Sequence, residues 1–304
     1  MFRGTFTALV TPFRESSIDV SAFEELIEAQ INAGITGIVA IGTTGESPTL
    51  SGDERAQVIR LAVARANKRC LVLAGTGSNS THHAIAETRT GEKLGVDAAL
   101  LVAPYYNKPS QEGLFRHFKA IADGTSLPIM LYNIPGRCGV DIGVETVVRL
   151  AGACRNIVAI KEASGSVDRV SELRNRLADD FTILSGDDSL SLPFMAVGAS
   201  GVVSVASNLF PAEVRALVDA YSKGDVQLAE KLHRRCYALF KDLFIEPNPV
   251  PIKAALEWSG LMSSEVRLPL CAMSEANRER LRKTVGVFER ERENTSTLPK
   301  AKVA

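Results

Sequence analysis

Several features that mark specialised chains are scarce here. Aromatic residues make up only 6% of the sequence, with a single Trp. Neither charge sign dominates: 35 Lys and Arg stand against 35 Asp and Glu, and the pI is about 6.9. With no basic field to draw in a phosphate backbone, nucleic acid is not an expected partner. The five cysteines (Cys70, Cys138, Cys154, Cys236, Cys271) are odd in number, scattered and free of any C-x-x-C pair. That pattern argues against a disulfide framework and a zinc cage, and it fits a reducing cytoplasm. No apolar run approaches the length of a membrane span. The stretch Met1 to Val10 carries no signal-peptide pattern, so no membrane partner is expected.

What the sequence does have is a repeating unit. Among 304 residues, 45% hydrophobic and 23% charged, eight short apolar runs recur: Gly4–Val10, Gly37–Ile41, Leu71–Ala74, Ala98–Ala103, Pro128–Leu131, Ile157–Ile160, Phe181–Leu184 and Gly201–Val205. They are spaced by roughly one strand-plus-helix unit and are apolar throughout, as parallel strands buried on both faces must be. Between them lie helical signals. Ser51-Gly-Asp-Glu54 reads as a capping box, Phe23, Leu26, Ile27 and Ile31 follow the 3.6-residue period, and Pro211 suits a first helical turn. This predicts a (β/α)8 TIM barrel over residues 1–222, with an open doubly wound sheet as the alternative. Residues 223–290 predict a C-terminal helical appendage, built from helices over 225–245, 251–259 and 274–290. Residues 291–304 read as a flexible tail.

In such a barrel the chemistry lies at the carboxyl ends of the strands. There the sequence places Gly42-Thr-Thr-Gly-Glu46, Gly75-Thr-Gly77, Pro104-Tyr-Tyr-Asn107, Tyr132-Asn-Ile-Pro-Gly-Arg137, Lys161-Glu162 and Gly186-Asp-Asp188. Lys161 stands out as a cation fed directly by an apolar strand. It could pair with Glu162 or Asp187. Alternatively, burial could lower its pKa and make it a Schiff-base nucleophile, the resulting iminium acting as an electron sink without metal or cofactor. Tyr132 is either a packed ring at the barrel mouth or a proton shuttle. Thr43 and Thr44, between glycines, form a tight turn or a cradle for a small carboxylate. Arg137 is a solvated loop residue or a bidentate carboxylate grip. Tyr105 and Tyr106 read as an exposed pair of interface type. The four histidines fall in predicted helices, so a metal centre is not expected. A phosphate-binding barrel and a catalytically silent ligand sensor are weaker alternatives, because no P-loop is present and a sensor has no use for a reactive amine.

Taken together and in this order, the strand-end motifs resemble the dihydrodipicolinate synthase family of pyruvate-dependent, Schiff-base-forming lyases, to which N-acetylneuraminate lyase is related. The resemblance runs from Gly4-Thr-Phe-Thr-Ala-Leu-Val-Thr-Pro12 to Glu246-Pro-Asn-Pro249. It implies that Lys161 forms the imine with pyruvate and that Tyr132 is the general acid and base. Thr43 would link Tyr132 to Tyr106, which the family inserts from an adjacent subunit. Thr44 would contact the pyruvate carboxylate, and Gly186 and Val203 would line its pocket. Arg137, an arginine that sugar-acid lyases generally lack, would clamp L-aspartate 4-semialdehyde. The implied pathway is diaminopimelate and lysine biosynthesis, with no cofactor or metal, in a homotetramer built from tight dimers. The family's lysine-effector site maps to Ser47, Pro48, Gly52, Arg55, Asn79, His83 and Tyr105. Gly52 and Arg55 replace histidines there and His83 replaces a glutamate, so weak or absent lysine inhibition is expected.

Overall fold

The computed structural model describes residues 2–294. Eight parallel strands close into a barrel: β1 (Gly4–Ala8), β2 (Gly37–Ala40), β3 (Leu71–Gly75), β4 (Ala98–Val102), β5 (Ile129–Asn133), β6 (Ile157–Glu162), β7 (Thr182–Ser185) and β8 (Gly201–Ser204). Each pairs with its sequence neighbour, and β8 closes on β1. Closure disposes of the open doubly wound alternative. Eight helices follow the strands: α1 (Val20–Asn32), α2 (Gly52–Ala66), α3 (Thr81–Lys93), α4 (Gln111–Ala122), α5 (Val144–Ala153), α6 (Val167–Arg176), α7 (Ser191–Ala196) and α8 (Pro211–Ser222). The Ser51–Glu54 capping box forms in full, and Pro211 occupies the first turn of α8.

The strand pleat divides the core in two. Inward residues such as Phe6, Val39, Leu73, Leu100, Met130 and Val203 fill the barrel. Outward residues such as Ile38, Val72, Leu131, Ile160 and Ile183 pack under the helices. Each fully buried side chain of this size contributes about 2 kcal/mol before entropy is counted. Two strands run two residues further than their apolar runs: β5 continues through Tyr132 and Asn133, and β6 through Lys161 and Glu162. Hydrophobicity ends at Leu131 and Ile160, but the ladder goes on, with Tyr132 opposite Lys161 and Asn133 opposite Glu162. That register depends on an irregularity. Ile129 pairs with Ile157 while Met130 pairs with Ala159, so Val158 is an extra residue. Without it, Ile160 would face Tyr132.

Beyond the barrel come α9 (Val226–Asp242), α10 (Val250–Trp258) and α11 (Glu275–Asn294). Asp242 on α9 accepts bonds from Arg280 Nη2 and Thr284 Oγ1 on α11, both at 2.6 Å. The Phe210 and Phe288 rings lie 4.7 Å apart, tying α11 to the start of α8. Residues 291–294, expected as the start of a flexible tail, continue the helix; residues 295–304 lie outside the described residues. Among the described residues no helix is long and apolar enough to cross a membrane.

The seam between β1 and β8 needs glycine. Gly201 has φ +145°, and a Cβ built there would lie 1.9 Å from the Gly4 carbonyl oxygen, with Gly4 its ladder partner. Gly201→Ala should destabilise the barrel by about 3 kcal/mol, lowering the thermal midpoint by roughly 5 °C or more. An unchanged midpoint by calorimetry would show that the seam can relax.

Candidate active site

Lys161 reaches into the mouth of the barrel because the pleat turns its side chain inward, and neighbours close over it until 5% of the residue is exposed. Neither ion pair suggested by the sequence forms. Glu162 points the other way, where it takes bonds from Arg169 Nε at 2.8 Å and the Ser164 amide at 2.8 Å. Asp187 is engaged by the amide and hydroxyl of Ser189, each at 2.8 Å. Among the described residues no carboxylate lies within 4.0 Å of the Lys161 amine; its Nζ sits 4.1 Å above the centre of the Tyr132 ring. Burial lowers its pKa to about 7, opposed by the negative charge of Asp188 and reinforced by the positive charge of Arg137. Roughly half the amine is then free at neutral pH, against about one part in a few thousand for an ordinary lysine.

Tyr132 is buried beside it. Burial pushes the phenol up to about 12, against the opposing effects of the Arg137 charge and a hydrogen bond with Thr43. It keeps its proton at neutral pH and is therefore a donor. Thr43 and Thr44 belong to the loop after β2. The hydroxyl of buried Thr44 accepts a 2.9 Å bond from Asn248 Nδ2, and the Gly45 carbonyl accepts one from Thr11 Oγ1 at 2.8 Å. Gly186 follows β7 and lies against the lysine: a Cβ there would sit 2.8 Å from Ala163 Cβ and 3.0 Å from Lys161 Cε. Its amide donates to the Glu162 carbonyl at 2.7 Å, so its backbone packs along the lysine stem. Val203 is buried in the barrel interior in the same cluster as Tyr132. Arg137, on a single helical turn over Pro135–Cys138, is exposed at the rim and donates from Nη2 to the Asn248 carbonyl at 3.4 Å.

Tyr106 is the exception. It is 88% exposed, has φ +75°, and its amide donates to the Cys138 carbonyl at 3.3 Å. Within one chain it does not join Thr43 and Tyr132. Of the residues mapped to an effector site, Ser47, Arg55, Asn79 and His83 are engaged within their own chain. Arg55 Nε meets Glu87 at 2.8 Å and its Nη1 the Ser47 carbonyl at 3.2 Å. His83 Nε2 lies 3.9 Å from Glu87, and the Asn79 carbonyl accepts from Asn107 Nδ2 at 2.9 Å. Tyr105 is part-exposed at the loop's start.

Four polar residues at the site, Asn248, Asp188, Asn133 and Glu162, have partners that spacing does not reveal. Asn248 lies within Glu246-Pro-Asn-Pro249, a motif that favours the synthases over the sugar-acid lyases without singling Asn248 out. Asp188 is buried, its Oδ2 accepting the Val205 and Ala206 amides at 2.9 and 3.0 Å, and burial pushes its pKa up to about 6. Asn133 and Glu162 form a brace on the outer face, with Asn133 Nδ2 donating to Asp141 at 2.7 Å and to Glu162 at 3.1 Å. All four are polar residues in apolar surroundings, a signal that a hydrophobicity scan passes over. Among the described residues, no three His, Cys, Asp or Glu side chains converge as metal ligands would.

A parallel barrel with a partly neutral, buried lysine at its mouth and a protonated tyrosine beside it has the equipment of a Schiff-base-forming lyase. The chain belongs to the Dihydrodipicolinate synthetase family, whose sequence profile matches residues 1–287. It is 53% identical over 281 residues to the 4-hydroxy-tetrahydrodipicolinate synthase of Citrifermentans bemidjiense, covering 92% of this chain and 97% of that one. The solved synthase of Methylacidiphilum fumariolicum superposes with a TM-score of 0.96 at 56% identity, over 97% of this chain and 98% of that one. Another solved relative is the Acinetobacter baumannii dihydrodipicolinate synthase complexed with pyruvate. It is 44% identical, has a TM-score of 0.93, and the match covers 95% of this chain and 99% of that one.

The depressed pKa of Lys161 has a kinetic consequence. Only the neutral amine attacks a carbonyl, so the rate of reductive trapping with a small 2-keto acid should climb through about pH 7 and level off above it. A rate still climbing tenfold per unit at pH 9 would mean that the amine keeps an ordinary basicity.

Proposed function

We propose that this chain is a Schiff-base-forming lyase that condenses pyruvate with L-aspartate 4-semialdehyde to give 4-hydroxy-tetrahydrodipicolinate, in the diaminopimelate and lysine pathway. The observation that carries the mechanism is the buried Lys161 amine, without a carboxylate within 4.0 Å among the described residues and stacked over Tyr132.

The Lys161 lone pair attacks C2 of pyruvate, and loss of water with proton transfer through Tyr132 leaves the iminium. The Tyr132 phenolate left by that transfer takes a C3 proton, giving the enamine and restoring the phenol, and the iminium nitrogen takes up the electron pair. C3 then attacks the aldehyde carbon of the second substrate, forming the carbon–carbon bond, while the new alkoxide takes a proton from Tyr132. The amino group of the semialdehyde portion adds to C2 and expels the Lys161 amine, closing the ring and restoring the enzyme. Thr44 holds the pyruvate carboxylate, Gly186 and Val203 bound the space for its methyl end, and Arg137 grips the carboxylate of the semialdehyde. The same Arg137 charge that receives that carboxylate also favours the neutral form of Lys161.

Tyr106 completes a relay through Thr43 only if it is supplied by a second copy, and its exposed, left-handed setting at the loop tip suits that role. The working unit is accordingly at least a dimer, and a homotetramer of two such dimers in the cytoplasm is the assembly we propose. A sister activity on a 2-keto-3-deoxy sugar acid or N-acetylneuraminate is disfavoured by Arg137.

Turnover is measured with pyruvate and L-aspartate 4-semialdehyde, coupled to dihydrodipicolinate reductase and NADPH loss. The wild-type chain should turn over both substrates, Lys161→Ala should lose at least about 10³-fold in kcat, and Arg137→Ala should raise KM for the semialdehyde far more than for pyruvate. Pyruvate binding without turnover would move the assignment to sugar-acid cleavage. Because Arg55 and Glu87 join across the mapped effector region, L-lysine should inhibit weakly or not at all. Half-maximal inhibition at micromolar lysine would refute that expectation.

A further inference from the structure

The loop that carries Thr43 and Thr44 is conformationally costly at both ends. Ile41 has φ +49° and Glu46 φ +53°, left-handed values at two residues that are not glycine. Such backbone persists only where the surroundings over-determine it. At Glu46 they do. Its carboxylate is buried and meets Lys253 Nζ of α10 at 2.5 Å, with both side chains almost wholly excluded from water. The other oxygen accepts the Arg267 amide at 3.0 Å. Lys253 also donates to the Glu265 carbonyl at 2.9 Å and lies 4.2 Å above the Phe13 ring, whose neighbourhood it shares with the Arg267 guanidinium at 4.3 Å. Arg267 in turn reaches the Thr49 carbonyl at 3.0 Å and Glu54 at 2.9 Å, just past the loop.

A buried ion pair of this kind adds little net stability, because desolvation of both charges offsets their attraction; an apolar replacement of similar volume is often as stable. What it adds is direction, since a carboxylate held by one ion pair and one backbone hydrogen bond from the C-terminal segment restricts the loop backbone. We propose that Glu46 and Lys253 are positioning residues for the condensation, their buried pair holding the Gly42–Glu46 turn so that Thr43 meets Tyr132 and Thr44 meets the pyruvate carboxylate. The proposal rests on the assignment of pyruvate to Lys161 and Thr44 given above.

The test is the neutral double variant Glu46→Gln/Lys253→Met, which leaves no buried charge unpaired, together with Glu46→Gln alone, which keeps one acceptor oxygen where the carboxylate offered two and removes the counter-charge of Lys253. Wild-type protein is first shown to be trapped on Lys161 by pyruvate and borohydride; failure there would sink the site assignment, not this proposal. The double variant should fold, raise KM for pyruvate about tenfold and lower kcat about tenfold, while KM for the semialdehyde stays within twofold. Glu46→Gln alone should raise KM for pyruvate about threefold. A folded double variant with wild-type KM for pyruvate and wild-type kcat overturns the proposal. So does a fall in kcat with both KM values unchanged, the signature of a smaller active fraction. If the double variant does not fold, Glu46→Gln decides alone, and a wild-type KM for pyruvate in it overturns the proposal.

Discussion

Everything at this site depends on keeping one lysine amine dry without a counter-charge at contact distance. In water an ammonium is strongly solvated; inside the barrel mouth that solvation is replaced by the face of Tyr132 and the stem-lining backbone of Gly186. The charged form is penalised and the amine becomes a nucleophile. A carboxylate at ion-pair distance would undo this by stabilising the ammonium. Placing Glu162 on the opposite face of β6 is therefore as much a part of the chemistry as placing Lys161 inside. Asp188, whose charge works against the shift, has one oxygen committed to two backbone amides and a pKa that burial raises towards neutrality, which limits the field it exerts.

The pleat alone does not achieve this. Tyr132 and Lys161 share a rung only because Val158 is an extra residue in β6. The brace outside the barrel then fixes that rung. Glu162 is held by Arg169 and Ser164, and Asn133 is held between Glu162, Asp141 and the Ile142 amide. Arg169 spans from Glu162 to Asp141 and to the Ile142 carbonyl, so α6 and the segment after β5 are fastened to the same rung. A polar network with this many mutual bonds, anchored on buried Glu162 and Asn133, is rigid, and rigidity at that rung keeps a phenol and an amine in register.

The alternation of apolar runs and helical periods was enough to read the barrel, because parallel strands buried on both faces leave an unambiguous trace. Lys161 and Tyr132 were visible for the converse reason, as polar residues at the ends of such runs. The true ends of β5 and β6 were not visible, since the ladder continues into residues that hydrophobicity assigns to loops. Nor was the extra residue at Val158, whose only signature is the pairing itself. Contacts between Thr44 and Asn248, 204 residues apart, and between Glu46 and Lys253 leave no local pattern, because long-range polar pairs have no period. Glu162 was legible as a charge but not in direction: from spacing alone it competes for Lys161, and only the pleat shows that it cannot.

The C-terminal segment then acquires a reason beyond packing. A (β/α)8 barrel is topologically complete at α8, yet the two threonines of the β2 loop and the arginine after β5 lie on different strands, with no bond between those loops among those described. Asn248 supplies the bridge, its side chain donating to the Thr44 hydroxyl and its carbonyl accepting from the Arg137 guanidinium. If Thr44 takes the carboxylate of pyruvate and Arg137 that of the second substrate, Asn248 ties the two carboxylate sites together. Catalysis of bond formation between two bound molecules depends on their separation more than on either affinity, since an error of about an ångström in the approach can cost about a hundredfold in rate. A segment bonded to both loops restrains that separation, as two loops with no bond between them would not.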